Sequence, residues 1–484
     1  MIKRLLFLLF ILHSSFFIVF PQDVKKALEY FNSGQYENAA IQFENALPAM
    51  EKKYGINDTS YFLKTLLYTA RSFQLSQDFI KAEIYYLEAI KVYETNNAIN
   101  CYWYYLALSS LSELYQDIGN YNKAESLLLQ TLQIRKKFLG EDNSNYATSL
   151  NNLAELYRVT GNYKKAEPLY LQAMEIKKKV LGDAHPDYAT SVYNLASLYM
   201  AMGVYDKAES LYMQAMEIRK KNFGEENIDY AYSLNNLAEL FQVIGNYEKA
   251  ETFNLQALQI KKKIQGEEHP DYATSLNNLA ELYRLMGEYI KAEPLYLQAL
   301  QIKKKTLGEE HPDNAVLLNN LAMLYHLMGN YEKAEVLYLQ SLQIKKTVLG
   351  EAHPSYAMTL NNLAELYLAM GILEKAESLY TQTINIRKNA LDEEHPDYAM
   401  SLNNLAIFYG LIGNYEKAET ICIQSLQIYK KILGEKHPSY AIALNNLAEL
   451  YRRMGNYKKA EPLYLQSLQI IKNSFGEEHY DYTT

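Results

Sequence analysis

Apolar residues recur along this chain at steps of three and four. In the stretch that starts at Asp271, the residues Leu276, Leu279, Ala280 and Tyr283 make one stripe, the spacing of an amphipathic helix. After Gly287, a second stripe follows through Ala292, Leu295, Tyr296, Ala299 and Ile302. The pattern predicts a first helix from Asp271 to about Met286 and a second from about Glu288 to Lys305. Polar punctuation marks the ends. His269-Pro270-Asp271 opens the first helix, where proline's missing N–H is tolerated and an acid suits the positive helix end. Gly287 supplies a left-handed C-cap that needs no Cβ. Lys303-Lys304-Lys305 closes the second helix at its negative end, and Leu307-Gly308-Glu309-Glu310 is the exit turn.

The whole unit repeats. Asn277-Asn278-Leu279-Ala280-Glu281-Leu282-Tyr283 has a counterpart in Asn151-Asn152-Leu153-Ala154-Glu155-Leu156-Tyr157. Gly119, Gly161, Gly203, Gly245, Gly287, Gly329, Gly371, Gly413 and Gly455 are spaced by 42 residues. A fixed period of this size means stacked helix pairs, each touching mainly its neighbours and unable to bury its apolar face alone. Residues 101–473 form the regular array. Residues 23–100 are degenerate units, with Gly34-Gln35-Tyr36 marking one pair and Gln77-Asp78-Phe79 the next. Residues 474–484 match the start of a further, incomplete repeat, which fits truncation or a following C-terminal domain. Pro168, Pro294 and Pro462 fall early in second helices, where proline removes a backbone bond or shifts the helix start.

The first 22 residues depart from the pattern. Lys3-Arg4 precedes an apolar run from Leu5 to Leu12 that resumes from Phe16 to Phe20. A basic segment followed by an apolar one reads as a signal peptide and implies export to the periplasm, the cell surface or the medium. No small-x-small triplet precedes Gln22, so an uncleaved anchor through residues 5–20 is the alternative, short against the ~20 apolar residues of a span.

Charge and cysteine content narrow the function. The formal net charge is −8, which argues against a nucleic-acid partner, since phosphate binding needs a basic face. The two cysteines, Cys101 and Cys422, lie too far apart along the array for a disulfide and are too few for a zinc cluster. His185, His269, His311, His353, His395 and His437 sit at inter-repeat turns beside proline. They read as turn or cap residues, because neighbouring repeats are ~8–10 Å apart and one metal needs its ligands within ~2 Å. Tyr157, Tyr283 and Tyr367 lie on the apolar stripe as packing residues. No phosphate loop, catalytic triad, nucleophile elbow or ligand cluster is present, so no enzyme, cofactor or small-molecule substrate is expected.

The packing positions Leu150, Leu153, Ala154, Tyr157, Ala166, Tyr170 and Ala173 resemble those of the tetratricopeptide repeat. The usual repeat has 34 residues. The longer unit here, with Leu181-Gly182 before His185-Pro186 and then Asn-Asn-Leu-Ala, resembles the repeats of kinesin light chains. The chain lacks the long heptad segment of those proteins and carries an apparent export signal, so motor and cargo roles are not implied. The resemblance implies an all-α, right-handed superhelical solenoid of about eleven antiparallel helix pairs, with first helices lining a concave groove. Some exported bacterial arrays of this kind precede a caspase-like peptidase domain.

Two asparagine columns project from the first helices. Asn152, Asn194, Asn236, Asn278, Asn320, Asn362, Asn404 and Asn446 are unbroken, whereas the column through Asn151 and Asn235 is interrupted by Tyr193. An amide both donates and accepts hydrogen bonds, so a ladder of amides suits the backbone of an extended peptide. The unbroken column resembles the asparagine ladder of the O-linked N-acetylglucosamine transferase repeats. Its rival role is to bond neighbouring helices. Glu155, Glu239, Glu281, Glu365 and Glu449 form a patchy acidic column near Arg158, Arg284, His326 and Arg452, readable as a selectivity feature or as a solvated face. The expected function is a non-catalytic scaffold that binds a peptide or partner protein in the concave groove. The alternatives are the regulatory region of a longer exported protease or signalling protein, and a structural spacer.

Overall fold

Each repeat folds where its stripes and caps place it. The computed structural model describes residues 22–56, 61–99 and 101–475. Residues 1–21 of the leader and the last nine residues lie outside them. Twenty-two helices, from Gln22–Asn32 to Tyr457–Phe475, follow one another among the described residues, and consecutive helices pack as antiparallel pairs. None of these helices is long and apolar enough to cross a membrane. In the degenerate N-terminal units, Gln22–Asn32 packs on Tyr36–Tyr54 and Phe62–Leu75 on Phe79–Thr95.

The boundaries agree with the periodicity to within two residues. The unit centred on Gly287 comprises Pro270–Leu285 and Tyr289–Leu307. The second helix continues past Lys305 because its stop signal is Gly308, at φ +89°, whose N–H returns to the Lys304 carbonyl. Pro168, Pro294 and Pro462 lie inside their helices. Those helices begin at Tyr163, Tyr289 and Tyr457, in register with the proline-free Tyr247–Gln265. Proline therefore does not shift the start, and its cost is confined to one missing backbone bond.

One repeat breaks the stop rule. Asp392 occupies the position held by glycine in seven other repeats among the described residues and is forced to φ 81°, ψ 157°. A Cβ is strained in this region of backbone space. The Asp392 carboxylate accepts the Glu393 N–H at 2.6 Å, a partial compensation. Asp392→Gly is expected to stabilise the array by about 1 kcal/mol, read as a higher urea midpoint. A lower midpoint would mean that the side-chain bond outweighs the strain.

Repeats are tied together by more than apolar stripes. Tyr157 donates to Glu125 at 2.7 Å, Tyr283 to Glu251 at 2.6 Å and Tyr367 to Glu335 at 2.7 Å, each bond reaching back 32 residues. The same bond recurs from Tyr115, Tyr199, Tyr325, Tyr409 and Tyr451. A lysine ammonium covers each ring, as Lys165 covers Tyr157 at 4.9 Å. These tyrosines pack as expected and are also hydrogen-bonded rungs between repeats.

Contact between neighbouring repeats dominates, but it is not the whole of the packing. The coil is tight enough for repeats far apart in sequence to touch. The His353 Nε2 lies 3.0 Å from the Asp117 carbonyl, and the His395 Nε2 lies 3.0 Å from the Val159 carbonyl. Both pairs are separated by 236 residues, so one superhelical turn takes 236/42, about 5.6 repeats. A cleft of about 910 Å³ follows the seam, with Tyr157, Thr160 and Lys165 on one side and Leu391, Asp392 and Glu394 on the other.

Candidate functional site

The first helices of successive repeats approach one another, as Pro396–Leu411 approaches Pro438–Arg453. Second helices touch only the first helices beside them to that degree. The first helices therefore run on the inside of the curve and line its concave face. They carry both asparagine columns, and Asn151 and Asn235 of the interrupted one are buried. Because superhelical turns meet at the seam, this face is the inner wall of a coil.

The unbroken column divides into two groups. Asn320 donates to the Asn277 side-chain oxygen at 3.0 Å, Asn362 to Asn319 at 3.1 Å and Asn404 to Asn361 at 3.0 Å. These three knit each repeat to the one before it. Asn236 donates to the Tyr232 carbonyl at 2.8 Å within its own helix. Asn152, Asn194, Asn278 and Asn446 make no side-chain hydrogen bond among the described residues. None of their amide atoms is sealed from solvent without a partner. The fold thus uses part of the ladder structurally and leaves four rungs without a side-chain partner, of which Asn194 is buried and the other three are partly exposed.

The acidic column is an alternation of paired and unpaired carboxylates. Glu155 takes two bonds from Arg158, at 2.7 and 2.8 Å, and one from Tyr170 at 2.7 Å. Glu281 is held in the same way by Arg284 and Tyr296. Glu449 is held by Arg452, Tyr464 and Arg453, and the Arg452 bond leads in lowering its carboxyl to about 2. Glu239 and Glu365 have Gln242 and Leu368 where those repeats have arginine. Burial raises both above the usual carboxylate range. Glu365 accepts bonds from Asn361 and Asn404, at 2.8 and 3.3 Å. The column is therefore an ordered part of the wall, and three of its members are locked in place.

A further column escaped the sequence reading. Arg135, Lys177, Arg219, Lys261, Lys303, Lys345 and Arg387 recur at the 42-residue period on the second helices, and all seven are buried. All but Lys177 bond the next first helix. Arg387 donates to the Asp397 carbonyl and the Ser401 hydroxyl, Lys303 pairs with Asp313 at 2.9 Å, and Lys345 donates to the Ser355 carbonyl and the Thr359 hydroxyl. Burial lowers Lys261 and Lys345 to about 8. Their period was visible, but as part of a lysine triplet they read as helix-end charges.

The histidines cap helices. The Nδ1 atoms of His185, His269, His311, His353, His395 and His437 accept the backbone N–H two residues on, at 3.0–3.1 Å. Each ring lies at its own repeat boundary, so the set does not converge. Cys422 is buried and Cys101 half-buried, both as free thiols.

The comparisons with known proteins follow this geometry. The tetratricopeptide repeat model matches residues 104–179, 147–221, 187–263, 229–305, 271–347, 313–389 and 397–473. No curated protein matches the chain. Among solved structures, it is similar to the nearly identical TPR-like repeats of a kinesin light chain from Podosopora anserina, at 30% identity over 43% of this chain and 97% of that one, with a TM-score of 0.37. BtubC (BKLC) from P. vanneervenii is 25% identical over 49% of this chain and 92% of its own, with a TM-score of 0.38. A Rap protein complexed with Competence and Sporulation Factor shares the fold at 16% identity, covering 76% of this chain and 98% of its own, with a TM-score of 0.50. The chain belongs to the tetratricopeptide repeat family, and its 42-residue units are similar to those of kinesin light chains.

Proposed function

We propose that this chain is a non-catalytic scaffold that holds an extended peptide segment of a partner protein against the inner wall of its coil. The observation that carries the proposal is the set of amides without a side-chain partner at Asn152, Asn194, Asn278 and Asn446 on the concave face. Each amide can donate to a peptide carbonyl and accept from a peptide N–H, which gives affinity with little demand on sequence. Selectivity would come from the fixed charges beside them, Arg158 with Glu155 and Arg284 with Glu281. A preformed wall lowers the ordering cost on the protein's side. The solved Rap protein carries a bound factor on the same kind of fold. The Lys3-Arg4 leader supports export, so the partner would be a periplasmic, surface or secreted protein.

The test is selection of unstructured peptides from a display library on the immobilised full chain. The quadruple substitution of Asn152, Asn194, Asn278 and Asn446 by Ala is expected to weaken the selected peptides at least tenfold with helix content unchanged. Each lost amide contact is worth about 1 kcal/mol. Equal affinity in the variant would overturn the ladder.

A further inference from the structure

Four histidines are engaged at both ring nitrogens. At Nδ1 each caps its own first helix. At Nε2, His311 meets the Leu75 carbonyl at 3.2 Å, His353 that of Asp117 and His395 that of Val159, both at 3.0 Å. His437 meets the Ala201 carbonyl in the same register. A backbone N–H only donates and a carbonyl only accepts. The ring must therefore carry its proton on Nε2 and none on Nδ1, which fixes the neutral tautomer at all four positions. The site below is shaped for the ring and the proline after it. A Cβ on Gly161 would lie 2.8 Å from Pro396, and one on Gly203 would lie 2.9 Å from His437. Gly287, Gly329, Gly371, Gly413 and Gly455, the same turn in later repeats, have nothing within 4 Å of a built Cβ. The contact is thus confined to the seam between superhelical turns.

We propose that His311, His353, His395 and His437 are clasps that hold successive superhelical turns together, and that protonation of His353 and His437 in mild acid opens the coil. A second proton has only Nδ1 to occupy, where it faces the capping N–H. Two donors then oppose each other, the ring leaves its cap, and Nε2 leaves the carbonyl across the seam.

The neighbouring charges do not cancel this. Asp313 lies 4.0 Å from His311 Nδ1, but it is already paired with Lys303. Beside His353, the Asp117 carboxylate favours the proton and Lys345 opposes it. His395 is followed by Asp397, which faces Tyr163 across the seam; Asp392, Glu394 and Lys165 line the adjacent cleft. Burial dominates at His353, whose pKa is lowered, and at His437, which is taken down to about 4. An opened ring returns to water and to about 6.5. The sign follows. The open form binds more protons between those values, so closure is fully supported above about pH 6.5 and is lost as pH falls toward 4. His353 and His437 each change the closed-to-open ratio by at most about tenfold per pH unit. Acid would thereby expose the inner wall. That consequence for a ligand rests on the function proposed above, whereas the clasp does not.

The chain supplies its own control. At two first helices Asn143 and Asn227 take the capping role, accepting the N–H two residues on at 2.8 and 2.7 Å with no ring to reach a second turn. Small-angle scattering of the full chain, followed with far-ultraviolet circular dichroism from pH 7.5 to 4, needs no ligand. The expected result is a longer maximum dimension with unchanged helix signal, with its midpoint between pH 6.5 and 4. The variant carrying His311→Asn, His353→Asn, His395→Asn and His437→Asn keeps its caps and is expected to be extended already at pH 7.5, with no response to pH. A wild-type chain that holds its dimensions until helix is lost would overturn the proposal. So would an asparagine variant that stays compact at pH 7.5.

Discussion

Arg71→Ala is expected to lower the local stability of the N-terminal repeats by about 3 kcal/mol. The guanidinium is buried among polar groups that depend on it. One of its nitrogens lies 3.0 Å from Glu113 and 3.0 Å from the Gln74 side-chain oxygen. Gln74 in turn accepts from Tyr86 at 2.9 Å and donates to Asp117 at 2.7 Å. Truncation leaves the Glu113 carboxylate without its counter-charge and Gln74 without its positioning bond. Glu113 keeps partial access to water, which places the loss at the lower end of the ~3–5 kcal/mol typical of a broken buried pair. Repeat arrays unfold in parts, so hydrogen exchange is the right readout. Amides of Phe62–Leu75 and Tyr102–Asp117 should lose about a hundredfold of protection, while Pro438–Arg453 keeps its own. Arg71→Met/Glu113→Leu, which removes both charges and retains volume, should recover much of the loss. If it protects no better than Arg71→Ala, the loss is one of packing and not of the ion pair.

The sequence displayed the repeat almost completely. The glycine spacing gave the helix pairs, because a residue at positive φ must recur wherever the same turn recurs. Leu279, Ala280, Tyr283 and Ala292 are buried as the stripes require. Contacts between repeats were less visible. A Tyr–Glu bond spans 32 residues, and no helical or strand periodicity points to that interval. The buried cation column had the right period, but lysine at a helix end has an ordinary solvated explanation, and only burial separates the two. The seam was the least legible feature. Its 236-residue register is the sum of small rotations over five to six repeats, a quantity set by packing angles at every boundary. The candidate site shows the same division. The asparagine columns were plain, but only coordinates separate Asn362, bonded to Asn319, from Asn278, which is open.

The double substitution Gly161→Ala/Gly203→Ala is expected to force the coil open at neutral pH, whereas Gly287→Ala/Gly329→Ala is not. All four glycines lie at φ between +70° and +76°. An alanine at any of them costs about 1–2 kcal/mol in backbone strain, so both pairs should lose about 2–4 kcal/mol in urea unfolding. They differ in what the new methyl meets. At Gly161 it meets Pro396 at 2.8 Å and His395 at 3.3 Å, and at Gly203 it meets His437 at 2.9 Å and Pro438 at 3.0 Å. At Gly287 and Gly329 it meets nothing within 4 Å. Overpacking in a core costs a further ~1–3 kcal/mol per site because the surroundings cannot move away. Here they can, because the opposing atoms belong to another superhelical turn. The added cost is therefore capped by the free energy of closing the seam, and beyond that limit the turns part. Scattering at pH 7.5 should show an increased maximum dimension for the first pair and none for the second, at nearly equal unfolding midpoints. Equal dimensions for the two pairs would mean that the seam yields locally, with His395 and His437 shifting aside while the remaining clasps keep the turns together.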